Sequence, residues 1–126
     1  MKRYLELSNI LQMHDELITR YGGVQGIRSP EGIKSALARP QCGYYSDIVE
    51  EGVSILESLL INHPFLDGNK RTAFAACDVF LRINGYRVHA DSEWLYSKIV
   101  AWLTAKEDRF EAMVADLRVR IQKTLR

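Results

Sequence analysis

Apolar residues recur at spacings of three and four in six stretches of the chain, and two neighbouring stretches in its middle are apolar almost all round. That period predicts helices, and a helix apolar on every side is a buried one. The first of the central pair carries Val53, Ile55, Leu56, Leu59, Leu60 and Ile61, with Glu57 as the one charge among them. The second carries Ala73, Phe74, Ala75, Ala76, Cys77, Val79, Phe80, Leu81 and Ile83, with Asp78 alone before Arg82. Asp47 and Glu50 form a capping-box pattern that starts the first helix, which runs to Asn62. Pro64 stops it, because its ring disfavours the α conformation at His63 and it has no N–H to donate. The second runs from about Asn69 to Ile83, where Asn84-Gly85 ends it.

Four weaker patterns surround this pair. Ser8 is the expected N-cap of a helix reaching about Tyr21, with Ile10, Leu11, Leu17 and Ile18 on one side and Gly22-Gly23 closing it. Ser29-Pro30 starts a short helix to about Ala38, ended by Pro40. Tyr86 to Ala90 reads as a brief extended link. Asp91 caps a helix bearing Trp94, Leu95, Ile99, Trp102 and Leu103, and a last amphipathic helix near Asp108 to Gln122 aligns Phe110, Met113, Val114, Leu117 and Ile121. The tryptophans read as core. Between Arg39 and Ser46, R-P-Q-C-G-Y-Y-S has no helical period and predicts a hairpin or flap, whose paired tyrosines either meet a partner or pack on the domain. The expectation is an all-α single domain spanning residues 1–126, about six helices around a buried central helix-loop-helix, with a short flap or hairpin and essentially no sheet.

Composition narrows the function. The chain's 126 residues are enough to bury a core without disulfide or metal support, and a net charge of +1 gives no general attraction to nucleic acid or membrane. Arg118, Arg120, Lys123 and Arg126 make the C-terminus locally basic, which suits a solvated helix end. Cys42 and Cys77 form no C-x-x-C pattern, so neither zinc nor a disulfide framework is suggested. With no long apolar run to span a bilayer, a soluble cytoplasmic protein is expected.

Candidate chemistry concentrates in the turn between the central helices, His63 to Arg71, H-P-F-L-D-G-N-K-R. Singly, each residue has an ordinary explanation: Asp67 as an N-cap, His63 as a satisfied core histidine. Together in nine consecutive positions they favour a functional reading. Gly68 and Asn69 permit a tight turn into a helix whose first N–H groups point outward, an anion site before any side chain is counted. Lys70 and Arg71 place cations where the helix dipole disfavours them by about 0.3–1 kcal/mol each, a conflict that a bound anion resolves. Asp67 is a hard oxygen donor of the kind Mg²⁺ takes together with phosphates and water. His63 brings an imidazole, a side chain that can accept a proton from a hydroxyl. Base, metal ligand and phosphate cradle imply phosphoryl or nucleotidyl transfer. G-N-K-R-T is no P-loop, since a glycine is missing and the chain enters from a helix. No second carboxylate suggests glycosidase chemistry, and no serine or cysteine nucleophile is visible. His14 and His89 stand in no ligand spacing with His63 and read as structural or surface residues.

H-P-F-L-D-G-N-K-R-T resembles the signature of the Fic/Doc superfamily, and its K-R ending is similar to the Doc (death on curing) toxin branch. H-D-E-L-I-T-R-Y-G-G-V-Q-G-I-R, S-A-L-A-R-P-Q and the run from T-A-F to N-G-Y also look like Doc proteins, so the resemblance covers most of the chain. It implies a compact helical toxin of a toxin–antitoxin pair that uses ATP and Mg²⁺ to modify a hydroxyl of a cellular protein and block translation. By matching positions, His63 would be the general base, Asp67 the magnesium-associated carboxylate, and Gly68, Asn69, Lys70 and Arg71 the phosphate binders. The flap at Gln41, Cys42, Gly43, Tyr44 and Tyr45 would position the target segment. Fic-type adenylyltransferases carry glycine where Lys70 stands and a further arginine where Phe74 stands. In the Doc branch the lysine goes with a reversed nucleotide and γ-phosphoryl transfer, with a threonine of elongation factor Tu as the best-known target. The resemblance therefore implies a protein kinase, with adenylyl transfer as the alternative. D-I-V-E-E-G at Asp47–Gly52 only approximates the self-silencing motif of some Fic proteins, so silencing would fall to a separate small Phd-like antitoxin whose segment folds on binding. A non-enzymatic module that binds a partner through the flap is a further alternative; phosphate binding alone would not need His63.

Overall fold

The computed structural model describes residues 1–124, and Leu125 and Arg126 lie outside the described residues. Six helices, α1 (Leu7–Tyr21), α2 (Pro30–Ala38), α3 (Ile48–Asn62), α4 (Asn69–Ile83), α5 (Ser92–Thr104) and α6 (Arg109–Arg118), are joined by a 3₁₀ turn at Arg39–Gln41 and by two short strands, β1 (Tyr86–Val88) and β2 (Ile121–Lys123). The arrangement is all-α, as the periodicity implies. From Ile48 to Leu60 every residue of α3 except Glu50 is buried, so this helix is the axis on which α2, α4, α6 and the 3₁₀ turn are laid. Gly52 makes the α3–α4 contact close: a Cβ there would sit 3.2 Å from the Leu81 side chain. Ile55, Leu56, Leu59, Phe80 and Leu81 are almost wholly buried, and each side chain removed from water contributes about 1.5–3 kcal/mol.

Two carboxylates are buried along α3, and both are neutralised. Glu51 meets the Lys2 ammonium and the Tyr4 hydroxyl, the latter at 2.8 Å. Glu57 takes Arg39 at 2.8 Å on one oxygen and Arg109 at 2.9 Å on the other, tying the segment after α2 to the start of α6.

Several expectations need correction. α1 is capped by Glu6 rather than Ser8; the Glu6 N–H donates to Asn9 Oδ1 at 2.8 Å, closing the turn one residue before Leu7. The last helix stops at Arg118 instead of Gln122, because Ile121–Lys123 leaves to pair antiparallel with Tyr86–Val88, Val88 opposite Ile121. The link after α4 is therefore a strand. Arg118 is not a free helix-end cation but pairs with Asp47 at 2.9 Å, and the Arg120 guanidinium lies 4.3 Å from the Trp94 ring centre. Arg126 in that basic cluster falls outside the described residues. Asp47 caps α3 by accepting the Glu50 N–H at 3.0 Å, but the Glu50 carboxylate turns back to the Ser46 N–H, one residue short of the reciprocal box. The segment after Pro40 forms no paired strands; a 3₁₀ turn and bends make it a flap and not a hairpin. Among the described residues no helix is long and apolar enough to cross a membrane.

Candidate active site

The turn between α3 and α4 is held from three sides. His63 ends α3 in the left-handed conformation, φ 45° and ψ 57°, outside the right-handed α region that the following proline disfavours and away from the extended region that a residue before proline usually takes. The extended connector between α1 and α2 then runs antiparallel over the turn. The Pro64 carbonyl accepts the N–H groups of Arg28 at 2.7 Å and Ser29 at 3.0 Å, Leu66 N–H donates to Gly26 O at 3.1 Å, and Ile27 faces Phe65 across a β-bridge. Within the turn, the Asn69 side chain binds Phe65 twice, accepting its N–H and donating to its carbonyl, both at 2.9 Å. Gly68, at φ 77°, supplies the left-handed step into α4. From beneath, the buried His14 ring stacks on Phe65 with centroids 3.7 Å apart and 4° between planes, and its Nε2 lies 2.8 Å from the Asp67 carbonyl.

The Asp67 carboxylate is thereby aimed. Its Oδ2 accepts the Val24 N–H at 3.1 Å and its Oδ1 the Gly68 N–H at 2.8 Å. Those two backbone donors, Val24 first, with the charge of Arg71 behind them, hold its carboxyl below the ordinary value of 3.8. Gly23 makes the approach possible, since a Cβ there would stand 2.7 Å from Asp67 Oδ2. The first intrahelical bond of α4 is Thr72 N–H to Gly68 O, so the N–H groups of Asn69, Lys70 and Arg71 precede it. No acidic residue lies in that first turn. Among the described residues Lys70 and Arg71 have no carboxylate within salt-bridge distance; the Arg71 guanidinium instead lies 5.2 Å from the Tyr21 ring centre. These groups open onto a groove of about 430 Å³ walled on the far side by the exposed Tyr96 of α5.

His63, Asp67, Gly68, Asn69, Lys70 and Arg71 are thus brought to one groove, with the side chain of Asn69 oriented by its two bonds to Phe65. The flap residues Gln41, Cys42, Gly43, Tyr44 and Tyr45 do not line it. Tyr44 and Tyr45 instead border a larger cavity of about 740 Å³ beside Phe110 and Val114, which contains neither the base nor the cradle. The two tyrosines differ in burial. Tyr45 packs, its ring 5.4 Å from Phe110 and its hydroxyl accepting from Arg39 Nε, whereas Tyr44 is 83% exposed. His14, Tyr21, Val24 and Tyr96 were not legible as site residues; only the run of glycines at positions 22, 23 and 26 signalled that backbone comes close to something there.

A metal ion held by protein alone does not fit, because among the described residues no three His, Cys, Asp or Glu side chains converge. A magnesium ion arriving on a nucleotide does fit: the exposed Asp67 carboxylate keeps a free lone pair on each oxygen, and such ions take one or two carboxylates beside phosphates and water.

A deeply buried helix, a polar turn and a second helix whose N-terminus and cations face a groove define an anion-handling transferase centre on an all-α frame. The model of the Fic/DOC family matches residues 4–81, and the chain belongs to the Fic/Doc family, in its Doc branch. It is 35% identical over 96 residues to the protein named Toxin Doc of Mycolicibacterium smegmatis, covering 72% of each chain. It is 32% identical over 95 residues to the protein named Protein kinase doc of Escherichia phage P1, covering 72% of this chain and 75% of that one. A Doc-type toxin of the transferase class is the description these likenesses support.

Proposed function

We propose that the chain acts as a protein kinase, transferring the γ-phosphoryl group of ATP to a serine or threonine hydroxyl of a cellular protein and so blocking translation. Lys70 carries this reading. It stands exposed at the second position of α4, unpaired among the described residues, where the Fic branch has the glycine that leaves room for the opposite nucleotide pose. A lysine there blocks one phosphate placement and offers charge to the other. The phage relative's name as a protein kinase supports the same choice.

In this reading, Lys70 holds the phosphates as a point charge, Arg71 as a two-pronged donor, and the N–H groups that follow the Gly68 turn, those of Asn69, Lys70 and Arg71, complete the cradle. Asp67, whose carboxyl the Val24 and Gly68 N–H groups hold below its ordinary value, would hold the magnesium that comes with ATP, and that ion would supply charge neutralisation at the transferring group. The exposed His63 ring, at the mouth of the same groove, accepts the proton of the incoming hydroxyl as the O–P bond forms and ADP leaves. Elongation factor Tu is the proposed acceptor, the flap at Gln41–Tyr45 the element that meets it, and a Phd-like antitoxin the silencing partner.

Incubation with Mg²⁺, ATP and elongation factor Tu, followed by the intact mass of the acceptor, tests the reaction. A gain of about 80 Da, absent with His63→Ala, is expected; a gain of about 329 Da would replace the kinase by an adenylyltransferase using the same residues.

A further inference from the structure

We propose that His14 is a positioning residue for this centre. Resting on the reading of Asp67 given above, it fixes the peptide unit between Asp67 and Gly68, and through it the aim of the Asp67 carboxylate at magnesium nucleotide.

A buried histidine on α1 would ordinarily be a filler of the core. What this ring satisfies, however, lies in the turn. His14 is 3% exposed, its ring plane is held by face-to-face stacking on Phe65, and its nitrogen edge points toward the turn. Along that direction Nε2 meets the Asp67 carbonyl at 2.8 Å; a carbonyl only accepts, so Nε2 carries the proton. The same peptide unit contributes the Gly68 N–H that donates to Asp67 Oδ1 at 2.8 Å. Rotation of that peptide plane would break the His14 bond and release the carboxylate together. The other oxygen is held only by Val24 N–H at 3.1 Å, on a connector that is exposed. Ile18 and His14, one turn apart on α1, together floor the left-handed step, since a Cβ at Gly68 would lie 3.0 Å from Ile18 Cδ1 and in contact, at 3.6 Å, with His14 Cδ2 and Nε2. The one donor anchored in the core therefore sets the plane, and the two surface donors only trim it. Groups that orient a metal-binding side chain without touching the metal typically affect affinity by about 10–100-fold when removed.

Two variants separate donor from filler. His14→Phe keeps an aromatic ring against Phe65 and loses the N–H; His14→Gln loses the ring and keeps an amide N–H of similar reach. The full chain is titrated calorimetrically with the β,γ-imido analogue of ATP, once with Mg²⁺ and once with EDTA, while thermal melting is followed in parallel. Wild type is expected to bind the magnesium form more tightly. His14→Phe should lose that magnesium-dependent gain by about tenfold, and His14→Gln should retain most of it. If both variants retain the gain, or both lose it, or only the phenylalanine variant retains it, the ring is a filler and the proposal falls. Should His14→Phe not fold, His14→Gln decides alone: a folded glutamine variant without the magnesium gain overturns it, and one with the gain sustains it. A wild type that binds with no preference for magnesium would refute the role of Asp67 before any variant is made.

Discussion

Glu57 and the turn that begins at His63 stand within two turns of one helix, yet they treat charge in opposite ways. At Glu57, each carboxylate oxygen has its own guanidinium, Arg39 or Arg109, and Arg39 is further saturated by Ser58 and the Tyr45 hydroxyl. At the turn, Lys70 and Arg71 sit on the wrong end of a helix dipole with, among the described residues, no carboxylate close enough to pair, and the backbone donors of α4 point the same way. Charge that holds a fold together is neutralised within the fold. The charge that the proposed function assigns to a nucleotide is left open, and in that reading its stabilisation is deferred until the nucleotide arrives.

Three substitutions sharpen or break this contrast. Lys70→Ala should reduce phosphoryl transfer by about 10²–10³-fold, as the loss of one preorganised charge does, while changing the free energy of unfolding by less than about 0.5 kcal/mol. Initial rates and urea denaturation give both numbers; a stability loss well above that limit would show that Lys70 serves the fold after all. Glu57→Ala is expected to do the reverse. It leaves two guanidinium groups facing each other, and because both side chains remain 32% exposed the loss should be about 2 kcal/mol, below the range for fully buried pairs. Binding of magnesium nucleotide per folded molecule should be unaffected. The smallest effect is expected at His63→Gly, which relieves the left-handed strain and should stabilise the chain by up to about 1 kcal/mol, partly offset by the greater freedom of glycine when unfolded, even as transfer is lost. A destabilised His63→Gly would mean that the imidazole packs for stability.

The fold was readable wherever one helix buries most of its surface. Both central helices, Ser29-Pro30 and the caps at Asp47 and Asp91 lie where local rules place them, because there period and punctuation agree. Reading failed at the C-terminus, where Ile121 continues the apolar period of α6 but is drawn off by pairing with Val88, a partner 33 positions away that no local pattern announces. The site was legible in its contiguous part alone. His63, Asp67 and Lys70 are neighbours in sequence, whereas His14, Val24 and Tyr96 reach the groove through the packing of α1, the connector and α5. The Glu57 ion pairs escaped notice for the same reason, since Arg39 and Arg109 are brought together only by the wrapping of both chain halves around α3.

The flap carries one further consequence. The chain has two cysteines; Cys77 is sealed in the core with its thiol pushed up to about 12 by burial, and Cys42 is exposed within the flap. Thiol-directed reagents react through the thiolate, so the native molecule presents one addressable sulfur. A fluorophore placed there without any mutagenesis sits two residues from the exposed Tyr44, on the flap proposed above to meet the acceptor, and would report its arrival if that proposal holds.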